Sequence, residues 1–154
     1  MAIDLAALQA GDPTPGGLQI RRVRTEAQLR DFAQIIAAGW TPPDPEALRF
    51  YERTAPALLS DDAALWLYVG YLGQVPVATA ELTVGGGVAG LYNIVTLSDY
   101  RRRGIGTALT LQPLHDARAQ GYRTAILQAA AAGVGLYTRL GFASFGQITE
   151  YKPA

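Results

Sequence analysis

The 154-residue chain is long enough to bury one core without disulfide or metal staples, and 49% hydrophobic with 17% charged residues is an ordinary globular balance. Its 13 basic and 13 acidic residues cancel, which removes the electrostatic case for nucleic acid or a membrane surface as a partner. With no cysteine and one histidine, His115, the sequence excludes disulfides, thiolate catalysis and Cys or His metal clusters.

No apolar run reaches the roughly 18 residues of a membrane-spanning helix, and no charged-then-apolar leader opens the chain. A soluble cytoplasmic protein that uses no metal is the expectation. The first ten residues suit a short helix, and Gly11 to Gly17 reads as a Pro/Gly linker. Residues 1–17 are therefore expected to form a flexible leader, with a single domain over residues 18–154.

Leu18-Gln19-Ile20-Arg21 alternates as a strand does. Thr25-Glu26-Ala27-Gln28 is a capping box, and Leu29, Phe32, Ala33 and Ile36 then recur on one helical face. Gly39 ends that helix, and Trp40-Thr41-Pro42-Pro43 is a rigid connector. Asp44 caps a second helix with Pro45 at its first position. Leu48, Tyr51, Ala55 and Leu58 form its inward stripe, and Pro56 is expected to end or bend it.

Ala64 to Tyr71 is an aromatic, β-branched strand, Gly73-Gln74 is a two-residue hairpin turn, and Val75 to Val84 returns. Simple alternation puts Val75, Val77, Thr79, Glu81 and Thr83 on one face. Glu81 is the only acid between Asp62 and Asp99. Gly85-Gly86-Gly87 turns the chain into a third strand, Val88 to Leu97.

That strand runs through Ile94-Val95-Thr96 and a short polar turn into Arg101-Arg102-Arg103-Gly104-Ile105-Gly106-Thr107. Strand, basic glycine turn and helix, in that order, build an anion site. The first N–H groups of a helix have no intrahelical partner, and its dipole adds positive charge there. Gly104 and Gly106 allow backbone to approach a ligand, and the arginines carry forked donors suited to phosphate. A dinucleotide fingerprint would require glycine at 109, where Leu109 stands, and a Walker loop needs a lysine, yet the only lysine is Lys152.

The helix continues to about Gln120, with Gly121 as its stop and Pro113 as an expected kink. Tyr122 to Gln128 is a strand, Ala129 to Leu140 a short helix interrupted by Gly133 and Gly135, and Phe142 to Lys152 one or two last strands. The order is that of an α/β sandwich with a mixed sheet.

Two motifs carry a family resemblance. Arg101-x-x-Gly104-x-Gly106 resembles the Arg/Gln-x-x-Gly-x-Gly/Ala signature of the GNAT superfamily of N-acetyltransferases, and Gly135-Leu136-Tyr137-Thr138-Arg139-Leu140-Gly141-Phe142 resembles its Leu-Tyr-x-x-Leu-Gly-Phe ending. The likeness covers about residues 18–152. It implies a central, mostly antiparallel mixed sheet flanked by helices, with a splayed parallel strand pair that binds the cofactor. It also implies acetyl-CoA as cosubstrate and direct transfer to a primary amine of a small molecule or peptide.

By the same resemblance, the backbone of Ile94, Val95 and Thr96 would pair with the pantetheine arm and the acetyl group. The diphosphate would sit on the amides of Arg102, Arg103, Gly104, Ile105, Gly106 and Thr107, beside Arg101. Tyr137 matches the tyrosine that protonates the leaving thiolate in many members. Glu81, one strand from the cofactor strand, is the candidate base, directly or through water, and Asn93 a candidate for orienting an acceptor or a water. Trp40, Phe50 and Tyr51 are candidate acceptor contacts. Ala130 stands where many members carry a pantetheine-binding asparagine, with Gln128 as a candidate replacement. A homodimer is left open. The alternative is a non-catalytic CoA-binding sensor, or a partner-binding domain of the same fold.

Overall fold

The structure, a computed structural model, describes residues 1–8, 14–40, 42–149 and 151. Linker residues Gly11 to Pro13, Thr41 of the proline connector, and Glu150 and Lys152 of the last predicted strand lie outside them.

Six strands form one sheet: β1 (Ala2–Asp4), β2 (Leu18–Arg22), β3 (Leu65–Leu72), β4 (Val75–Gly85), β5 (Val88–Thr96) and β6 (Thr124–Leu127), in the order β1-β6-β5-β4-β3-β2. Every neighbouring pair is antiparallel except β5 with β6. Helices α1 (Glu26–Ala38) and α2 (Pro45–Leu58) cover one face, where Leu29, Phe32, Ile36 and Tyr51 pack on Leu67, Val69 and Tyr71. Helix α3 (Ile105–Ala119) covers the other, where Ile105, Leu109 and Leu114 meet Tyr68, Val77 and Leu91. A short helix, α4 (Val134–Arg139), follows β6. This is the mixed, mostly antiparallel sandwich expected, parallel pair included. No helix among the described residues is long and apolar enough to cross a membrane.

Local chemistry sets the ends of the elements. Thr25 accepts the Gln28 N–H at 3.3 Å to start α1, but the Gln28 side chain reaches past the cap to the Arg24 N–H at 2.8 Å. Asp44 accepts the Glu46 N–H at 2.9 Å to start α2. The β3–β4 hairpin turns on Gly73 at φ 62°, which favours glycine. Pro56 does not end α2, which continues to Leu58, and α3 runs through the buried Pro113 to Ala119.

Three expectations are corrected. Residues 1–8 are no mobile leader: β1 pairs with β6, and Ile3, Leu5 and Leu8 are buried in the α3-side core. Their apolar side chains outweigh the cost of ordering a terminus. Among the described residues, the last strands expected over residues 142–152 are reduced to one bridge, Ala143 to Ala2, with β1 occupying the edge of β6. Finally, Val77 does not share a face with Thr79 and Glu81. A register shift between β3 and β4 at Gly70 and Tyr71 turns Val77 into the α3-side core, whereas Thr79 and Glu81 pair with Val69 and Leu67, whose side chains face α1 and α2.

Candidate active site

Strand β5 carries a bulge in its middle. Thr79 of β4 pairs with Val95, but Glu81 pairs with Tyr92, so β5 contains an extra residue between them. Asn93 takes up the irregularity at φ 47°. Asparagine is among the few residues that adopt this left-handed conformation readily. The buried Thr79 hydroxyl fixes the bulge by donating to the Asn93 carbonyl at 3.0 Å.

Past the bulge the sheet opens. Parallel pairing of β5 with β6 stops at Leu91 and Leu127, while β5 continues to Thr96. Ile94, Val95 and Thr96 therefore have β4 on one side and no strand on the side where β6 would lie. A strand edge of this kind offers unpaired N–H and C=O groups to an extended ligand. Ile94 packs toward the α3-side core and Val95 toward the α1 and α2 side, so the opening passes between the two faces of the sheet.

At the far end of β5, the turn Ser98–Tyr100 leads into α3. Arg102 at φ 62° and Gly104 at φ 77° are both left-handed. Such turns point successive amides into one concavity, an anion-binding arrangement. Among the described residues, the first backbone bond of the helix runs from the Ala108 N–H to the Gly104 carbonyl at 3.1 Å, and the amides of residues 102–107 find no backbone acceptor. A diphosphate fits this donor set. The side chains behave differently from the phosphate donors expected. Arg101 Nε donates to the Thr96 carbonyl at 3.0 Å, and Arg103 donates to the Asp99 carbonyl at 2.9 Å while lying 5.5 Å over the Tyr100 ring. Both brace the loop that presents the amides. Pro15 packs against the same turn: a Cβ on Gly104 would stand 3.3 Å from its Cγ.

Glu81 is 8% exposed, held on the α1 and α2 side of the sheet. It is no solvent-facing edge carboxylate. Asn93 Nδ2 donates to its Oε2 at 2.9 Å, and the Thr83 hydroxyl lies at 3.5 Å from Oε1. Tyr51 of α2 faces the same carboxylate. Its burial, and then the nearby Glu81 charge, push its phenol well above the ordinary tyrosine range. Tyr51 stacks edge-on with Phe32 and Phe50, each at 5.1 Å, and lines a cavity of about 260 Å³ between α1 and α2 with Leu29, Ala33 and Leu48. Trp40 and Phe50 are 61% and 54% exposed. Trp40 follows Gly39, where a Cβ would lie 3.8 Å from Val95 Cγ1, so the end of α1 abuts the open part of β5.

Tyr137 of α4 packs with the α3-side core, against Phe142 at 5.9 Å and over Gly133. Burial raises its pKa, so its hydroxyl keeps its proton across the neutral range. Tyr137 and Glu81 thus lie on opposite faces of the sheet. Ala130 and Gln128 are exposed beyond the end of β6. His115 stands apart on α3, with Nδ1 3.4 Å from Arg118.

The glycine turn and the open strand were legible in the sequence as a strand-turn-helix order, whereas the bond between Asn93 and Glu81 was not. The available signal was an asparagine, which tolerates left-handed backbone, within an otherwise apolar strand run.

A model of the acetyltransferase (GNAT) family matches residues 29–142. No curated protein matches the sequence. Among solved structures, glucosamine-6-phosphate N-acetyltransferase from Arabidopsis thaliana superposes with a TM-score of 0.71 at 13% identity, over 87% of this chain and 97% of that one. The aminoglycoside N-acetyltransferase AAC(6')-Iy in complex with CoA gives 0.70 at 19% identity, over 92% and 98%. A GCN5-related N-acetyltransferase from Kribbella flavida gives 0.67 at 26% identity, over 91% of this chain and 51% of that one. With the family match spanning most of its length, the chain belongs to the GNAT acetyltransferase family.

Proposed function

We propose that the protein is an acetyl-CoA-dependent N-acetyltransferase that passes the acetyl group directly to a primary amine of a small molecule or peptide. One observation carries the reading: the open edge of β5 at Ile94 to Thr96 leads, through the turn at Ser98–Tyr100, to the amides of residues 102–107, which find no backbone acceptor among the described residues. A long ligand with a phosphate end and an amide-bearing arm suits that continuous track.

Acetyl-CoA would supply the activated thioester. The amides of Arg102 to Thr107 would hold the diphosphate, with the dipole of α3 behind them. The free backbone of Ile94, Val95 and Thr96 would pair with the pantetheine arm of a bound acetyl-CoA. Holding the reactants in line is the largest contribution, up to roughly 7–11 kcal/mol for well-oriented pairs. Glu81 takes the proton from the acceptor ammonium, directly or through a water, on the α1 and α2 face. Tyr137, on the opposite face, holds a proton that it would give to the leaving thiolate. Trp40, Phe50 and Tyr51 wall the acceptor side, which suits an amine attached to an apolar or aromatic body.

The test is a calorimetric titration with acetyl-CoA, with desulfo-CoA and ATP as controls, followed by an amine panel. Micromolar acetyl-CoA binding, no ATP binding and turnover of an amine are expected. Binding without turnover would favour a CoA sensor, and a folded protein that binds no acetyl-CoA would end the enzyme reading.

A further inference from the structure

We infer that Asn93 is a positioning residue for Glu81: the β5 bulge turns its side-chain amide onto the carboxylate and holds that carboxylate toward the open end of the strand. The inference rests on the reading of Glu81 as the base.

The geometry is specific. Asn93 is exposed, yet its Nδ2 reaches the buried Glu81 Oε2 at 2.9 Å. In a regular strand, the residue after Tyr92 would point to the opposite face. The extra residue at φ 47° removes that alternation locally and brings the amide to the Glu81 side. The main chain of Asn93 is held as well, because its backbone carbonyl accepts from the Thr79 hydroxyl at 3.0 Å. Backbone and side chain are thus fixed between two neighbouring residues of one face of β4.

The remaining surroundings of Glu81 leave this bond with much of the orienting role. Tyr51 of α2 lies near it, Tyr92 is its cross-strand partner on β5, and Leu67 lies opposite on β3. Neither ion pair among the described residues involves it. The other polar contact, from Thr83, is at the 3.5 Å limit of a hydrogen bond. A carboxylate with few charged neighbours and one short donated bond takes its orientation from that donor.

Asn93→Gly separates the two roles of the residue, since glycine keeps the left-handed backbone and loses only the amide. The expected result is a fall in kcat of about tenfold, part of the 10²–10⁴-fold range of acid–base catalysis, with the acetyl-CoA Kd within twofold of wild type. In a Glu81→Gln background, the same substitution is expected to change kcat by less than about twofold, the non-additivity of two residues acting through one bond. Urea unfolding midpoints of the four proteins are expected to show the same coupling without reference to turnover. An active wild type with an unchanged Asn93→Gly rate would overturn the positioning role and leave acetyl transfer standing. Equal effects in both backgrounds would overturn it too. A wild type that binds acetyl-CoA and acetylates no amine would remove the reading of Glu81, and this proposal with it.

Discussion

Gly104 is the residue on which the proposed anion site turns. At φ 77° an L side chain is strained, and a Cβ there would also press on Pro15 at 3.3 Å. Gly104→Ala is therefore expected to cost about 1–2 kcal/mol of stability, the range for a non-glycine residue held left-handed. Because the strain falls on the turn that aims the amides, acetyl-CoA binding should weaken by at least tenfold while the fold survives. Circular dichroism melts beside calorimetry check both parts, and full binding at wild-type affinity would take the turn out of the site. For the two side chains of the proposed chemistry the expectation differs. Tyr137→Phe and Glu81→Gln should each lower kcat by about 10²-fold and leave acetyl-CoA affinity unchanged, since neither hydroxyl nor carboxylate belongs to the proposed phosphate-binding turn. A loss of affinity in step with kcat would reassign either residue to binding.

At the scale of elements, the sequence was most legible where local chemistry decides. The capping box at Thr25, the Asp44-Pro45 start of α2 and the Gly73-Gln74 turn are written in adjacent residues. Less legible were features set by pairing across the sheet. Val77 alternates with Thr79 and Glu81 in sequence, and only the shifted register at Gly70 and Tyr71 sends it to the other core. Likewise nothing local in Ala2-Ile3-Asp4 distinguishes a strand from a frayed helix. Its fate is decided by the free edge of β6, some 120 residues away in the chain. That pairing makes a test. Leu5 is fully buried, so Leu5→Ala is expected to destabilise the protein by about 2–5 kcal/mol in urea, the range for a large-to-small change in a packed core. A change under about 0.5 kcal/mol, as for a surface position, would return residues 1–8 to a leader.

Across the whole molecule the notable ionisations are tyrosines. Tyr51, Tyr68, Tyr71 and Tyr137 all have phenols raised above their ordinary value, with burial the leading cause in each. The hydroxyls of Tyr68 and Tyr71 also donate to Asp116 and Asp31 at 2.8 Å, tying α3 and α1 to opposite faces of the sheet. The sign follows from which state binds the proton. Below a pH of about 10 both folded and unfolded chains keep these phenols neutral, and their full contribution to stability is present. Above it the unfolded chain ionises while the folded one still holds its protons, so stability falls as pH rises toward the folded values. Each tyrosine that ionises only in the unfolded chain removes about 1.4 kcal/mol per pH unit, so the losses add where several do so together. Urea midpoints between pH 8 and 11 should therefore stay level and then drop steeply past 10. Tyr68→Phe should make that drop shallower, because the variant has one phenol fewer to titrate. A midpoint that stays flat through pH 11 would mean that the buried hydroxyls ionise as readily in the folded chain, and that solvent reaches the sheet beneath both layers of helices.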